Sequence, residues 1–146
     1  MAPRGIRNNN PLNIRKGDTW LGMVDNPTDP EFVQFVEMVY GVRAAFIILH
    51  RYFTIYRLNT VEKIISRWAP SSENNTNSYI RAVCQRTGFV LHEKLSFDCG
   101  ADMIDLVDAM IGVECGCHIE RSIIRQAYCM VTRQNQIGHE MERHSN

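Results

Sequence analysis

One carboxylate in this chain stands where a charge is least welcome. The stretch "AMIGVECG", residues 109–116, runs through apolar residues to Glu114 and reaches a glycine two positions later. If 101–114 form a helix, Met103, Leu106, Val107, Met110 and Ile111 share one sector at about 100° per residue, and Glu114 falls near its middle. Asp102, Asp105 and Asp108 lie mostly outside it, the first suited to the helix N-terminus and the others to water. A carboxyl set against apolar surface has its ionised form disfavoured, so its pKa rises. Such a group keeps its proton near neutral pH and can serve as a general acid. The plainer alternative is a frayed helix end, with Glu114 in solvent or paired with Arg121 or Arg125. Gly116 suits both readings.

Two further stretches bring the residue types that hold polar ligands. In "RWAPSSENNTNSYIRAV", residues 67–83, Trp68 offers a flat apolar plate beside a rigid proline turn. Glu73, Asn74 and Thr76 fall on the loop that opens the next helix, and Tyr79 on that helix's first turn. Together they supply acceptors, an amide and hydroxyls around one groove. The same residues also fit an ordinary helix start, with Asn75 or Thr76 as cap and Tyr79 as core. In "RGIRNNNPLNIRKGDTWLG", residues 4–22, the asparagines Asn9, Asn10 and Asn13 give fixed donors and acceptors suited to hydroxyl or acetamido groups, with Trp20 close by. Three asparagines before a proline also make a turn.

The elements that must position these groups are mainly helical. Residues 1–30 are rich in Pro, Gly and Asn, so they form an irregular lobe with short extended pieces at most, over 12–15 and 19–24. From Glu31 the pattern turns helical. "VRAAFIILHRYFTIY", residues 42–56, is apolar almost all round and reads as a central buried helix. "NTVEKIISRW" begins with a capping box of Asn59 and Glu62 and must stop near Trp68, ahead of Pro70. Residues 76–87 form a helix ended by Gly88. After the 101–114 helix comes a last one over roughly 118–133, and residues 134–146, ending in the polar "GHEMERHSN", read as a frayed tail.

The bulk properties bound the rest. The 146 residues suit a single domain, and Lys+Arg balance Asp+Glu at 16 each, so no net field points to nucleic acid. No stretch approaches the apolar length of a membrane span, and "MAPRGIRNNN" has no apolar segment of a signal peptide. The expectation is synthesis in a cytoplasm. Five cysteines, an odd number, argue against a full disulfide framework. "CGCH" at 115–118 lacks the paired spacing of structural zinc sites, so neither metal nor cofactor is expected.

Taken in order, "RGIRNNNPLNIR", "W-x-G" at 20–22, "F-x-x-F…YGVRA" at 32–44, "IISRWAPSSENNT-x-x-Y" at 64–79 and "AMIGVECG" resemble a family of small phage and prophage proteins. These are labelled virion structural or lytic proteins with a lysozyme-like fold. The resemblance covers roughly residues 4–116. In the wider superfamily, lytic transglycosylases and goose-type lysozymes carry the catalytic acid in a Glu-Ser-Gly-like end of an apolar helix, which Glu114-Cys115-Gly116 looks like. Their Glu-Thr-Arg-x-Tyr stretch is loosely similar to "ENNTNSY" through Glu73 and Tyr79. In those enzymes the Glu helix comes first. Here it comes last, so the resemblance implies a circularly permuted lysozyme-like domain.

It further implies cleavage of the β-1,4 bond between N-acetylmuramic acid and N-acetylglucosamine in peptidoglycan. Glu114 would be the acid, and Glu73 would orient water for hydrolysis. Without a second carboxylate, the muramyl 6-hydroxyl would attack, as in a transglycosylase. Asn9, Asn10, Asn13, Trp20, Trp68, Asn74, Thr76 and Tyr79 would hold the sugars. The partners implied are glycan strands and other virion proteins, reached after release from the cytoplasm or within a phage particle. Two other readings stay open: a virion structural or wall-binding protein with a dead cleft, and an unrelated helical interaction protein.

Overall fold

The computed structural model describes residues 1–72 and 74–144, with side chains described for 1–72 and 74–133. Among the described residues six helices follow in order: α1 Arg4–Arg7, α2 Met38–Thr54, α3 Val61–Trp68, α4 Thr76–Thr87, α5 Gly100–Cys115 and α6 Arg121–His144. The fold is mainly α. Among the described residues the only β pairing is two isolated antiparallel bridges, Arg15 with Phe32 and Met23 with Phe35.

α5 is the most enclosed element, because its apolar residues extend beyond one face. Met103, Leu106, Val107, Met110 and Ile111 are all fully buried. α4 and α6 pack on it, α2 packs along α6, and the short α1 touches its C-terminal half. Phe46, Leu49, Ile64, Ile65 and Ile124 complete the centre of the core. Phe46 meets Tyr128 edge-on with ring centroids 5.4 Å apart.

The helix ends follow local chemistry. α4 is capped by the Asn75 side chain, which accepts from the Ser78 amide, and it ends at Gly88 as the sequence indicates. α3 starts one residue later than the Asn59–Glu62 box implies. Thr60 is its cap and accepts from the Lys63 amide at 3.2 Å. α2 starts at Met38 and not Glu31, because residues 31–36 are used as an extended segment between 14–16 and 22–24. α6 begins at Arg121 and continues to His144, past the expected end near Arg133.

The N-terminal lobe is irregular but tightly tied. Among the described residues, three of the four buried polar ones are in it: Asn8, Asn10 and Asp29. The Asp29 carboxylate accepts from Arg4 twice at 2.7 Å, from Asn8 at 2.9 Å and from the amides of Glu31 and Phe32. The Arg4 guanidinium, followed by these amide and side-chain bonds, holds the Asp29 carboxyl far below the usual carboxylate range. Gly41 lets α2 come against this lobe. A Cβ there would lie 1.9 Å from the Asn9 carbonyl oxygen, so no other residue fits without moving backbone.

Candidate active site

The C-terminal turn of α5 brings Glu114 to the wall of an open groove of about 1070 Å³. The groove lies between the N-terminal lobe, the end of α3, one face of α4 and the end of α5. Ser78, Tyr79, Ala82 and Arg86 line it from α4, at the three- and four-residue spacing of one helix face. Gly116 stops α5 directly after the carboxylate. It is left-handed at φ 67°, and its amide donates to the Gly112 carbonyl.

Three side chains from three separate parts of the chain converge on Glu114. Tyr79 on α4 donates its hydroxyl to Oε2 at 2.9 Å, and the Trp68 indole N–H, from the end of α3, donates to the same oxygen at 3.1 Å. Asn13 of the N-terminal lobe donates from Nδ2 to Oε1 at 3.2 Å. Burial pushes the Glu114 carboxyl up to about 7, while the bonds from Tyr79, Asn13 and Trp68 pull the other way. Desolvation wins because every partner is a neutral donor and none brings a compensating positive charge. Burial, reinforced by the Glu114 charge, also raises Tyr79, which stays a phenol donor at any working pH.

Pairing of Glu114 with Arg121 does not occur. That guanidinium is held at 2.6 Å by Asp105 and at 3.0 Å by Asp108.

The loop bearing Asn13 is fixed to α5 at the carboxylate and at the residue after it. The Asn13 amide donates to the Asn10 carbonyl to close a turn around Pro11 and Leu12, and Asn13 itself sits at φ 53°. The Cys115 thiol donates to the Pro11 carbonyl at 3.1 Å. Burial pushes that thiol up to about 11, so it keeps the proton it donates. All five cysteines are free.

The other sequence candidates separate into groove and scaffold. Trp20, Trp68, Asn74 and Tyr79 line the groove with Asn13 and Glu114. Trp68 is more than the apolar plate expected of it, because its N–H binds the carboxylate. Trp20 is buried, and among the described residues its Nε1 is the buried side-chain polar atom without a partner.

Asn10 does not face the groove. It is fully buried, donating to the carbonyls of Ile14 and Val33 and accepting from the Ile14 amide. Asn9 donates to the Phe35 carbonyl at 3.0 Å and does not line the groove either. Thr76 gives its hydroxyl to the Ala69 carbonyl, tying α4 to the end of α3. These three act as scaffold because each side chain satisfies backbone groups that secondary structure would otherwise pair. Glu73 lies outside the described residues.

Sequence reasoning missed Asp18, Asn75, Ser78 and Arg86, which also line the groove. The α4 residues were legible in principle, since 75, 78, 82 and 86 share the face of Tyr79. Asp18 carried no periodic signal.

Chemically, a carboxyl poised to hold or release a proton near neutrality on the wall of an open groove suits acid–base work. No metal-binding cluster of three or more His, Cys, Asp or Glu occurs among the described residues. No described helix is long and apolar enough to cross a membrane.

No family model matches the chain. It is 42% identical over 119 residues to Protein P5 of Pseudoalteromonas phage PM2, a match covering 79% of this chain and 72% of that protein. The similarity is to a phage protein, as the sequence blocks implied, and the chain belongs to the family of phage PM2 Protein P5.

Proposed function

We propose that the protein cleaves the β-1,4 bond between N-acetylmuramic acid and N-acetylglucosamine in peptidoglycan, with Glu114 as the acid. The observation that carries this reading is the Glu114 carboxyl, raised to about 7 on the wall of an open groove. The bond from Tyr79 to Glu114 supports the lysozyme-like, permuted arrangement, since the two segments meet although their chain order is reversed.

The proton sits on Oε1. Oε2 already accepts from Trp68 and Tyr79, whereas Oε1 receives only the longer bond from Asn13. Glu114 transfers that proton to the glycosidic oxygen, the bond to the anomeric carbon breaks, and an oxocarbenium-like state forms. The resulting carboxylate keeps all three donors, which stabilise its new charge. It then takes a proton from the attacking oxygen, either water or the muramyl 6-hydroxyl, and the acid is restored. Asp18, the other described carboxylate lining the groove, is available to orient water in the hydrolytic branch.

The test is digestion of purified peptidoglycan followed by mass spectrometry of soluble fragments. Reducing muramyl ends identify a hydrolase and anhydromuramyl ends a transglycosylase. Saturable binding to the wall without soluble fragments contradicts cleavage and supports a non-catalytic, wall-binding virion component.

A further inference from the structure

We propose that Arg86 forms a carboxylate-binding subsite of the groove, which selects glycan strands bearing an acidic substituent. The inference rests on the glycan reading above and adds to it a basis for telling muramyl-containing strands from neutral ones.

Three observations converge on Arg86. It lines the groove from the same α4 face as Tyr79, seven residues further on, so it lies about 10 Å along the helix from the Glu114 partner. Its guanidinium rests against bare backbone of α5. A Cβ at Gly112 would lie 2.4 Å from Arg86 Nη1 and 3.1 Å from its Cζ. Gly112 is a helix-weakening residue inside α5 with no left-handed backbone to require it, so the space it leaves is used by the guanidinium.

The third observation is that Arg86 makes no hydrogen bond or ion pair among the described residues, although charged groups stand near. A side cavity of about 340 Å³, shared by Arg86, contains Asp105, Asp108, His118 and Arg121. Arg121 binds one oxygen of each aspartate, and His118 lies 3.2 Å from the other oxygen of Asp108. Arg15, the other cation lining the groove, pairs with Glu31. A planar fork of donors is therefore left open beside the substrate path.

That fork matches a carboxylate, which it can bind through two parallel hydrogen bonds. In a glycan strand of alternating N-acetylated sugars, only the muramyl unit carries such a group. It is either the free lactyl carboxylate or, where a peptide is attached, an acidic residue of that peptide. Neutral N-acetylglucosamine oligomers have neither.

Calorimetric binding in a Glu114→Gln background, where strands are not cut, tests the subsite. The probes are an N-acetylglucosamine tetramer, a muramyl tetrasaccharide with free lactyl groups, and the same tetrasaccharide with peptides attached. At least one acidic probe should bind about tenfold more tightly than the neutral one. Arg86→Gln should remove that difference and leave neutral binding unchanged. Gly112→Ala, which displaces the guanidinium, should do the same, and the acidic probe that gains identifies the carboxylate. Equal binding of all three probes, with or without Arg86, overturns the subsite and leaves the glycan groove standing. Loss of neutral binding in Arg86→Gln also overturns it, since Arg86 would then be structural. Failure of every probe to bind overturns the glycan reading itself.

Discussion

Glu114 receives three hydrogen bonds and still holds its proton near neutrality, because the bonds come from neutral donors and burial of the carboxyl outweighs them. This makes the carboxyl a liability for stability as well as an acid. Its folded pKa, about 7, lies above the ordinary 4.5, so the folded state binds the extra proton between those values. The contribution is fully present below pH 4.5 and is lost as pH rises through 7. Its full span is about 3 kcal/mol. Urea midpoints of the wild type should therefore fall from pH 4.5 to 7.5 more steeply than those of Glu114→Gln. Parallel profiles would contradict a raised pKa. Tyr79→Phe removes a donor that favours the anion, so it should push the Glu114 pKa above 7 in an NMR titration of the side-chain carboxyl. A fall would mean that burial is not the dominant cause. The sequence exposed half of this. Periodicity puts Glu114 on the apolar side, but the donors Asn13, Trp68 and Tyr79 come from 101, 46 and 35 residues away, and no local pattern encodes such partners.

At the scale of elements, what was legible was what local chemistry decides. The bounds of α4 follow from a capping asparagine and a terminal glycine, and those of α5 from its apolar run and Gly116. Asn75→Ala should cost about 1 kcal/mol of stability by chemical denaturation, the value of an N-cap. Gly116→Ala should cost a similar amount, through backbone strain alone, because the space around its Cβ is open. Gly41→Ala should cost more, about 3 kcal/mol, because its Cβ meets the Asn9 backbone. An equal cost at positions 41 and 116 would mean that α2 can shift away from the lobe freely. The start of α2 was misread for a physical reason. Residues 31–36 carry no helix breaker after Pro30, yet their amides and carbonyls pair with 14–16 and 22–24. The asparagine triplet was misread likewise. It looks like a ligand surface in sequence, but Asn10 spends its side chain on the carbonyls of Ile14 and Val33 and the amide of Ile14.

For the molecule as a whole, the helices supply a rigid core and the N-terminal lobe supplies one bank of the groove. Asp29 organises that lobe through Arg4, Asn8 and two backbone amides, far from Glu114 in sequence. Its lowered pKa gives stability that is fully present above the ordinary carboxylate pKa and is lost as pH falls below it, toward the lowered folded value. Asp29→Ala should expose residues 16–31 to limited proteolysis while the far-ultraviolet helical signal persists. Activity should fall with it, because Asn13 and Asp18 are carried on the loosened lobe. Unchanged proteolysis would show that the lobe is held by its apolar contacts alone. Glu114 as the acid is put to the test by turnover of purified peptidoglycan by the wild type and Glu114→Gln at neutral pH. The wild type should release soluble muropeptides and the variant should lose at least about 100-fold in rate, the lower end for a general acid. Equal turnover by both proteins would contradict it.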